Sequence, residues 1–335
     1  MYILSEESTV VGRAISLVVS TLASFIAPPG PVVVITDALF DELIPERPNI
    51  GFKALYRSSE IFLMNIDTIC LDFQRVSAPH YVFIGGLGAS APKPLPVEME
   101  KFVSGSKHGF ILLTFGSLFA NLDIDVLTKL LVVFGELKQN VIIRHEGVIP
   151  DKIPRNVRLE KWLPQNDILA HPNTKLFVTH GGNNGQLEAL QHGVPMLTMP
   201  HNGDQFHNAR RVAAKRFGLT VKSHDFTVDE FRSAANELLD NPMYTESIRN
   251  CSAFVRDLRP PHETAIYWLE HVLKFGGAHL KPYYYNDMPL YKILMLDVYA
   301  LFAAILFMVY IVLRKCCGIC CSRKAVKVDK RKKMK

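Results

Sequence analysis

"WLPQNDILAHPNTKLFVTHGGNNGQLEALQHGVPM" runs from Trp162 to Met196 and sets one short apolar run between a polar lead-in and a glycine-rich turn. Leu176 to Thr179 (LFVT) has the length and composition of a buried strand. It passes directly into His180-Gly-Gly-Asn-Asn-Gly185, after which a helical pattern holds from about Asn184 to His192 and Gly193 ends it. Strand, glycine turn and helix in that order make the building unit of a parallel α/β sheet.

The unit repeats on both sides of this stretch. Phe110 to Thr114 (FILLT), Val141 to Arg144 (VIIR) and Pro195 to Met199 (PMLTM) are continuously apolar, as strands covered on both faces are. Asp123 to Leu137 reads as a first crossover helix and Asp204 to Phe217 as a later one. Thr227-Val-Asp-Glu230 is a capping box that opens a helix through Leu239. Residues 91 to 97 (APKPLPV) are a proline-rich break and place a domain boundary near residue 98.

The chain has 335 residues, 48% of them hydrophobic, enough for two cores. Its formal charge of +6 is misleading until located. Residues 314 to 335 hold ten Lys or Arg against Asp329 alone, a balance of +9 that leaves about −3 for residues 1 to 313. The globular part is therefore no binder of polyanions, and nucleic acid is not an expected partner.

Ahead of that basic tail, Val298 to Leu313 carries no charge. Counted from Ile293, the segment is 21 residues long and spans about 31 Å as a helix, the thickness of a bilayer core. A transmembrane helix over 293–313 with its basic side in the cytosol is expected. Ile15 to Ala27 is the early apolar run, but Glu6 and Glu7 precede it where a signal peptide needs basic residues, so it reads as a core helix. The expected parent chain is then longer at its start.

Of six cysteines, Cys70 and Cys251 stand alone, while Cys316, Cys317, Cys320 and Cys321 lie at the membrane exit, as reduced or palmitoylated thiols do. Asn250-Cys-Ser252 fits the glycosylation triplet but falls in a helical stretch.

The chemistry gathers around the quoted stretch. Backbone N–H groups at the start of a helix bind anions, and His180 and Asn184 add side-chain donors. Glu188, one turn on, can accept from two vicinal hydroxyls such as those of ribose. Trp162 offers a flat face for a base and Gln165 a two-way amide for a sugar edge. Taken singly, Trp162 reads better as core, Glu188 as a solvated helix face and His180 as a satisfied loop histidine.

Together they match W-x-P-Q-x-x-x-L-x-H-x(7,8)-T-H-G-G-x-N-G-x-x-E-A-x-x-x-G-x-P, followed by Pro200-His-Asn-Gly-Asp204-Gln205-Phe-His-Asn208. This resembles the donor-binding motif of the UDP-glycosyltransferases, the family that includes the UDP-glucuronosyltransferases. The resemblance implies a GT-B fold: a Rossmann-like α/β donor domain with a parallel sheet over 98–285, a remnant of the acceptor-binding domain over 1–97, the membrane helix and a cytosolic tail over 314–335.

It implies that Trp162 stacks on uracil and Gln165 bonds the ribose or base. His180, Asn184 and the Gly185 amide would hold the diphosphate, with Ser117 closing from the opposite loop. Glu188 would take the ribose hydroxyls, and Asp204 with Gln205 the transferred sugar. The reaction implied is inverting transfer of a glucuronosyl or glucosyl group to a hydroxyl of a small lipophilic acceptor. The UDP-sugar is a substrate, and neither metal nor cofactor is expected.

The last residues, Lys332-Lys333-Met-Lys335, resemble a dilysine retrieval signal, which places the protein in the endoplasmic reticulum membrane, single-pass, with its bulk in the lumen. One element is missing from the pattern. Relatives supply a histidine base from the acceptor domain, whereas residues 1 to 97 hold only His80, in "SAPHYVFIGGL", which resembles the interdomain segment. No catalytic residue is identified, and the alternative expectation is a silent UDP-sugar-binding membrane protein that pairs with a full-length relative.

Overall fold

Phe110–Thr114 (β3) consists of five consecutive buried residues, and a strand of that kind needs cover on both faces. The computed structural model of the chain describes residues 42–43, 51–73, 77–116, 120–281, 289–293 and 295–332. It supplies that cover with two layers of helices. Ahead of β3 come α1 (Phe52–Ser58), β1 (Phe62–Met64), β2 (Tyr81–Phe83) and α2 (Val97–Ser104). After it follow α3 (Ile124–Glu136), β4 (Asn140–Arg144), β5 (Val157–Glu160), α4 (Gln165–Ala170), β6 (Thr174–Thr179), α5 (Asn183–His192), β7 (Met196–Thr198), α6 (Gln205–Ala214) and β8 (Gly218–Thr220). The rest is helical: α7 (Val228–Asp240), α8 (Pro242–Asp257), α9 (Pro261–Phe275) and α10 (Leu296–Lys332).

β3 to β8 form one six-stranded sheet in the order β5-β4-β3-β6-β7-β8, parallel throughout. Alternate residues of each strand point to opposite faces. Ile111, Leu113, Val141 and Ile143 join α3 and α7 through Leu127, Leu130, Phe134 and Phe231. Phe110, Leu112, Ile142 and Phe177 face the other way, onto Ile168, Leu187, Leu190 and Val212. Leu71, Leu95 and Met99 lie in this second core, so the described residues around Leu71 and Leu95, ahead of residue 98, are packed against the sheet. β1 and β2 form a separate parallel pair, Phe62 opposite Tyr81.

Local signals fix the helix starts. Asp123 caps α3 by accepting from Asp125 N–H. At α7 the capping box is complete: Glu230 N–H donates to Thr227 Oγ1 and Thr227 N–H to Glu230 Oε2. Asn241 caps α8, with Pro242 in the first turn, where its missing N–H does no harm.

Cys70 and Cys251, expected to stand alone, are joined in a disulfide that ties the segment after β1 to α8. Residues up to Leu280 form one unit and those from Lys281 another. The second contains α10, whose Leu296–Lys315 stretch, of mean hydropathy 2.4, is long and apolar enough to cross a membrane. A short helix over Leu290–Ile293 precedes it, and α10 starts at Leu296 directly after Met295, which takes a positive φ of 52°. The core helix expected at Ile15–Ala27 lies outside the described residues.

Candidate functional site

The order of strand addition reverses between β3 and β6: the chain moves outward through β4 to β5, then returns to lay β6 on the other side of β3. At such a point the loops leaving neighbouring strands diverge and open a crevice at their carboxyl ends. β3 leads into Phe115-Gly116 and β6 into His180-Gly181-Gly182, so these loops face each other. A Cβ added to Gly116 would lie 3.1 Å from His180 Cε1, and one added to Gly182 would lie 2.5 Å from His180 Nε2. The imidazole is clasped between two backbones that only glycine allows so near. Gly116, at φ 72°, also occupies the left-handed region.

Beyond the clasp, α5 begins. Its first intrahelical bond runs from Gln186 N–H to Gly182 O, so the N–H groups of Asn183, Asn184 and Gly185 have no carbonyl partner within the helix. These donors and the positive end of the helix dipole are what an anion needs. The His180 pKa is lowered to about 4, chiefly by burial, with the nearby His201 assisting and Asp204 opposing. The ring is therefore neutral near pH 7 and offers one N–H, not a full charge.

Glu188 and Gln165, expected to share the nucleoside, are hydrogen-bonded to each other, Gln165 Nε2 donating to Glu188 Oε2. Burial raises the Glu188 pKa, the Gln165 bond opposes it and the Asp167 carboxylate adds to it. Trp162 follows β5 and is 68% exposed, which excludes the core reading of this indole.

At the start of α6 the expected pair divides. Gln205 is 6% exposed, and its Oε1 accepts from the N–H groups of His201 (2.8 Å) and Asn202 (3.1 Å), so its amide holds the turn. Asp204 is exposed; its Oδ2 accepts from Asn208 Nδ2, which also reaches Gly181 O at 3.0 Å. Ser117 lies outside the described residues. His80 is fully buried, its ring against Tyr81 and Phe62, and does not reach the crevice.

A family model described as UDP-glucoronosyl and UDP-glucosyl transferase matches residues 5–332. The chain belongs to this family.

Among the family's members in Mus musculus, UDP-glucuronosyltransferase 1A1 is 35% identical over 83% of this chain and 52% of its own length. UDP-glucuronosyltransferase 1-2 is 36% identical over 86% of this chain and 54% of its own. Human UDP-glucuronosyltransferase 1A9 is 34% identical over 79% and 50%. The chain thus spans about half the length of the curated relatives it matches.

Solved structures carry the fold: a spinosyn forosaminyltransferase superposes with a TM-score of 0.58 at 18% identity over 77% of this chain and 67% of its own. The calicheamicin glycosyltransferase gives 0.54 at 17% identity, covering 82% and 66%. The architecture is that of a GT-B glycosyltransferase.

The structure also brings to this family member's site residues that the motif does not name. Arg211 of α6, 3% exposed, donates to Asp72 Oδ2 (3.3 Å), Gln186 Oε1 (2.8 Å) and Asn183 Oδ1 (2.7 Å). Gln186 and Asn208 both donate to Gly181 O, so this buried network props the glycine turn from behind. His201 packs at a tilt against Phe115 and edge-on to His224, and borders a cavity of about 250 Å³ with Asn121 and Asp123. A larger cleft, about 800 Å³, runs between residues 66–92 and the α8–α9 junction and includes none of His180, Glu188 or Trp162.

Proposed function

We propose that this chain carries the UDP-sugar-binding half of a membrane-anchored UDP-glycosyltransferase that moves a glucuronosyl or glucosyl group, with inversion, to a hydroxyl of a small lipophilic acceptor. One observation carries the reading: a neutral imidazole clasped by glycines beside the open N-terminus of α5, at the switch point of the sheet.

In this reading the diphosphate rests on the Asn184 side chain and the Gly185 N–H, with His180 donating and Ser117 opposite. Trp162 stacks on uracil. Gln165 and Glu188 exchange their mutual bond for bonds to the ribose and base. Asp204 takes sugar hydroxyls from the turn that Gln205 holds.

The acceptor oxygen bonds to the anomeric carbon as the bond from that carbon to the UDP oxygen breaks, and UDP leaves with the electron pair. Donors placed where that charge develops lower the barrier. The base that takes the acceptor proton is not assigned to a residue of this chain.

In this reading the Leu296–Lys315 stretch of α10 crosses the endoplasmic reticulum membrane and the basic residues beyond it lie in the cytosol. The Cys70–Cys251 disulfide favours an oxidising compartment such as the lumen for the domain.

The test is calorimetric titration of the detergent-solubilised chain with UDP. Trp162→Ala and His180→Ala should each weaken binding by about 1–3 kcal/mol, the range for a lost stacking face or a lost bond to a charged group. UDP affinity unchanged in both variants would sink the site.

A further inference from the structure

We infer that Asn65, from the segment ahead of the donor domain, is a positioning residue that sets the orientation of the Asn184 amide for an anionic diphosphate; this rests on the reading of the site proposed above. An asparagine amide presents an acceptor on one side and a donor on the other, and an anion can use only the donor side.

Which side faces the ligand is decided by neighbours. The N–H groups of Gly86 and Leu87 point at the Asn65 side chain at 3.1 and 3.3 Å, and a backbone N–H can only donate. The atom facing them is therefore Asn65 Oδ1. Its Nδ2 is then turned toward Asn184 and donates to Asn184 Oδ1 at 3.0 Å.

With its oxygen claimed, Asn184 keeps its Nδ2, the other edge of the planar amide, for a ligand at the start of α5, where the residue is exposed. Asn65 is itself held in place by a second contact, Asn183 Nδ2 donating to the Asn65 carbonyl at 2.9 Å. Orientation thus passes from the β2–Gly86–Leu87 backbone, through Asn65, to a residue 119 positions away.

Two substitutions separate this role from a structural one. Asn65→Asp keeps an acceptor for Gly86 and Leu87 but replaces the donor with a carboxylate oxygen, so Asn184 must turn its NH2 inward and its oxygen outward. Asn65→Ala removes the relay. UDP and uridine serve as probes, because uridine lacks the diphosphate and makes no demand on Asn184.

Both variants should bind UDP about tenfold or more weakly, the scale of one lost bond to a charged group, while uridine affinity stays within about twofold and the melting temperature holds. In the Asn184→Ala background, Asn65→Ala should change UDP affinity by less than about twofold, since the coupled partner is gone. Equal losses for UDP and uridine, no loss for UDP, or additive losses in the double variant would overturn the inference while leaving the donor site intact. A wild-type chain that binds neither probe would overturn the donor-site reading, and this inference with it.

Discussion

His180→Gln is the most informative single change, because its effect has a sign fixed by the structure. The imidazole, usually near 6.5, is held at about 4 by burial, assisted by His201 and opposed by Asp204. Below about pH 6.5 the unfolded chain takes up a proton that the folded chain refuses, so stability present above that pH is lost as pH falls toward 4. The full shift corresponds to about 3 kcal/mol, of which roughly 2 would be lost by about pH 5. The ring is only partly buried, so solvent screening reduces the expected loss to about 1 kcal/mol. The assay is urea unfolding of wild type and His180→Gln at about pH 7.5 and about pH 5, where contributions from His192 and Glu188 largely cancel in the difference. Wild type should lose about 1 kcal/mol more than the variant. Saturating UDP should shrink that gap, because a diphosphate against the ring favours the imidazolium. Parallel pH dependence in the two proteins would refute the clasp as the cause of the lowered pKa.

Two further outcomes follow from the packing. Asp72→Ala leaves the Arg211 guanidinium buried without its counter-charge and should lower unfolding stability by about 3 kcal/mol, with UDP affinity falling as the glycine turn loosens; a change below about 0.5 kcal/mol would contradict the network. Cys70→Ser opens a crosslink between residues 181 positions apart and should reduce stability by about 2–4 kcal/mol, and a mild reductant should destabilise wild type but not the variant; equal sensitivity to reductant in both would count against the disulfide.

The sheet was legible where strands are buried on both faces. β3 falls on the expected Phe110–Thr114, and β6, α5 and α7 differ from expectation by a residue or two at their ends. β5 (VRLE) was not, because it is an edge strand with one buried residue and carries no apolar run. β8 is three residues long and begins on Gly218, too short for any periodicity to register. The site divides in the same way: His180, Asn184 and Glu188 are local to one turn and helix, and their spacing exposes them. Asn65 and Asp72, from the segment after β1, and Arg211, from α6, reach that turn or its supports from two other parts of the chain, and no spacing rule connects them to it. The Cys70–Cys251 pairing is invisible for the same reason, since two cysteines at such separation carry no register.

The attachment of the early segment changes what counts as the donor half. A proline-rich stretch at 91–97 marks a linker by composition, yet the chain on its far side is fastened to the donor sheet at three chemically different points. Asn65 bonds the start of α5, Asp72 neutralises Arg211 behind the glycine turn, and Cys70 is covalently joined to α8. Leu71 lies fully buried in the same core as the sheet strands. A cut at residue 98 would therefore remove a counter-charge from an arginine with 3% of its side chain exposed, and would free the amide that orients Asn184. Composition locates where a chain bends away from regular structure; the physical edge of a binding site lies where its buried charges and amides find their partners.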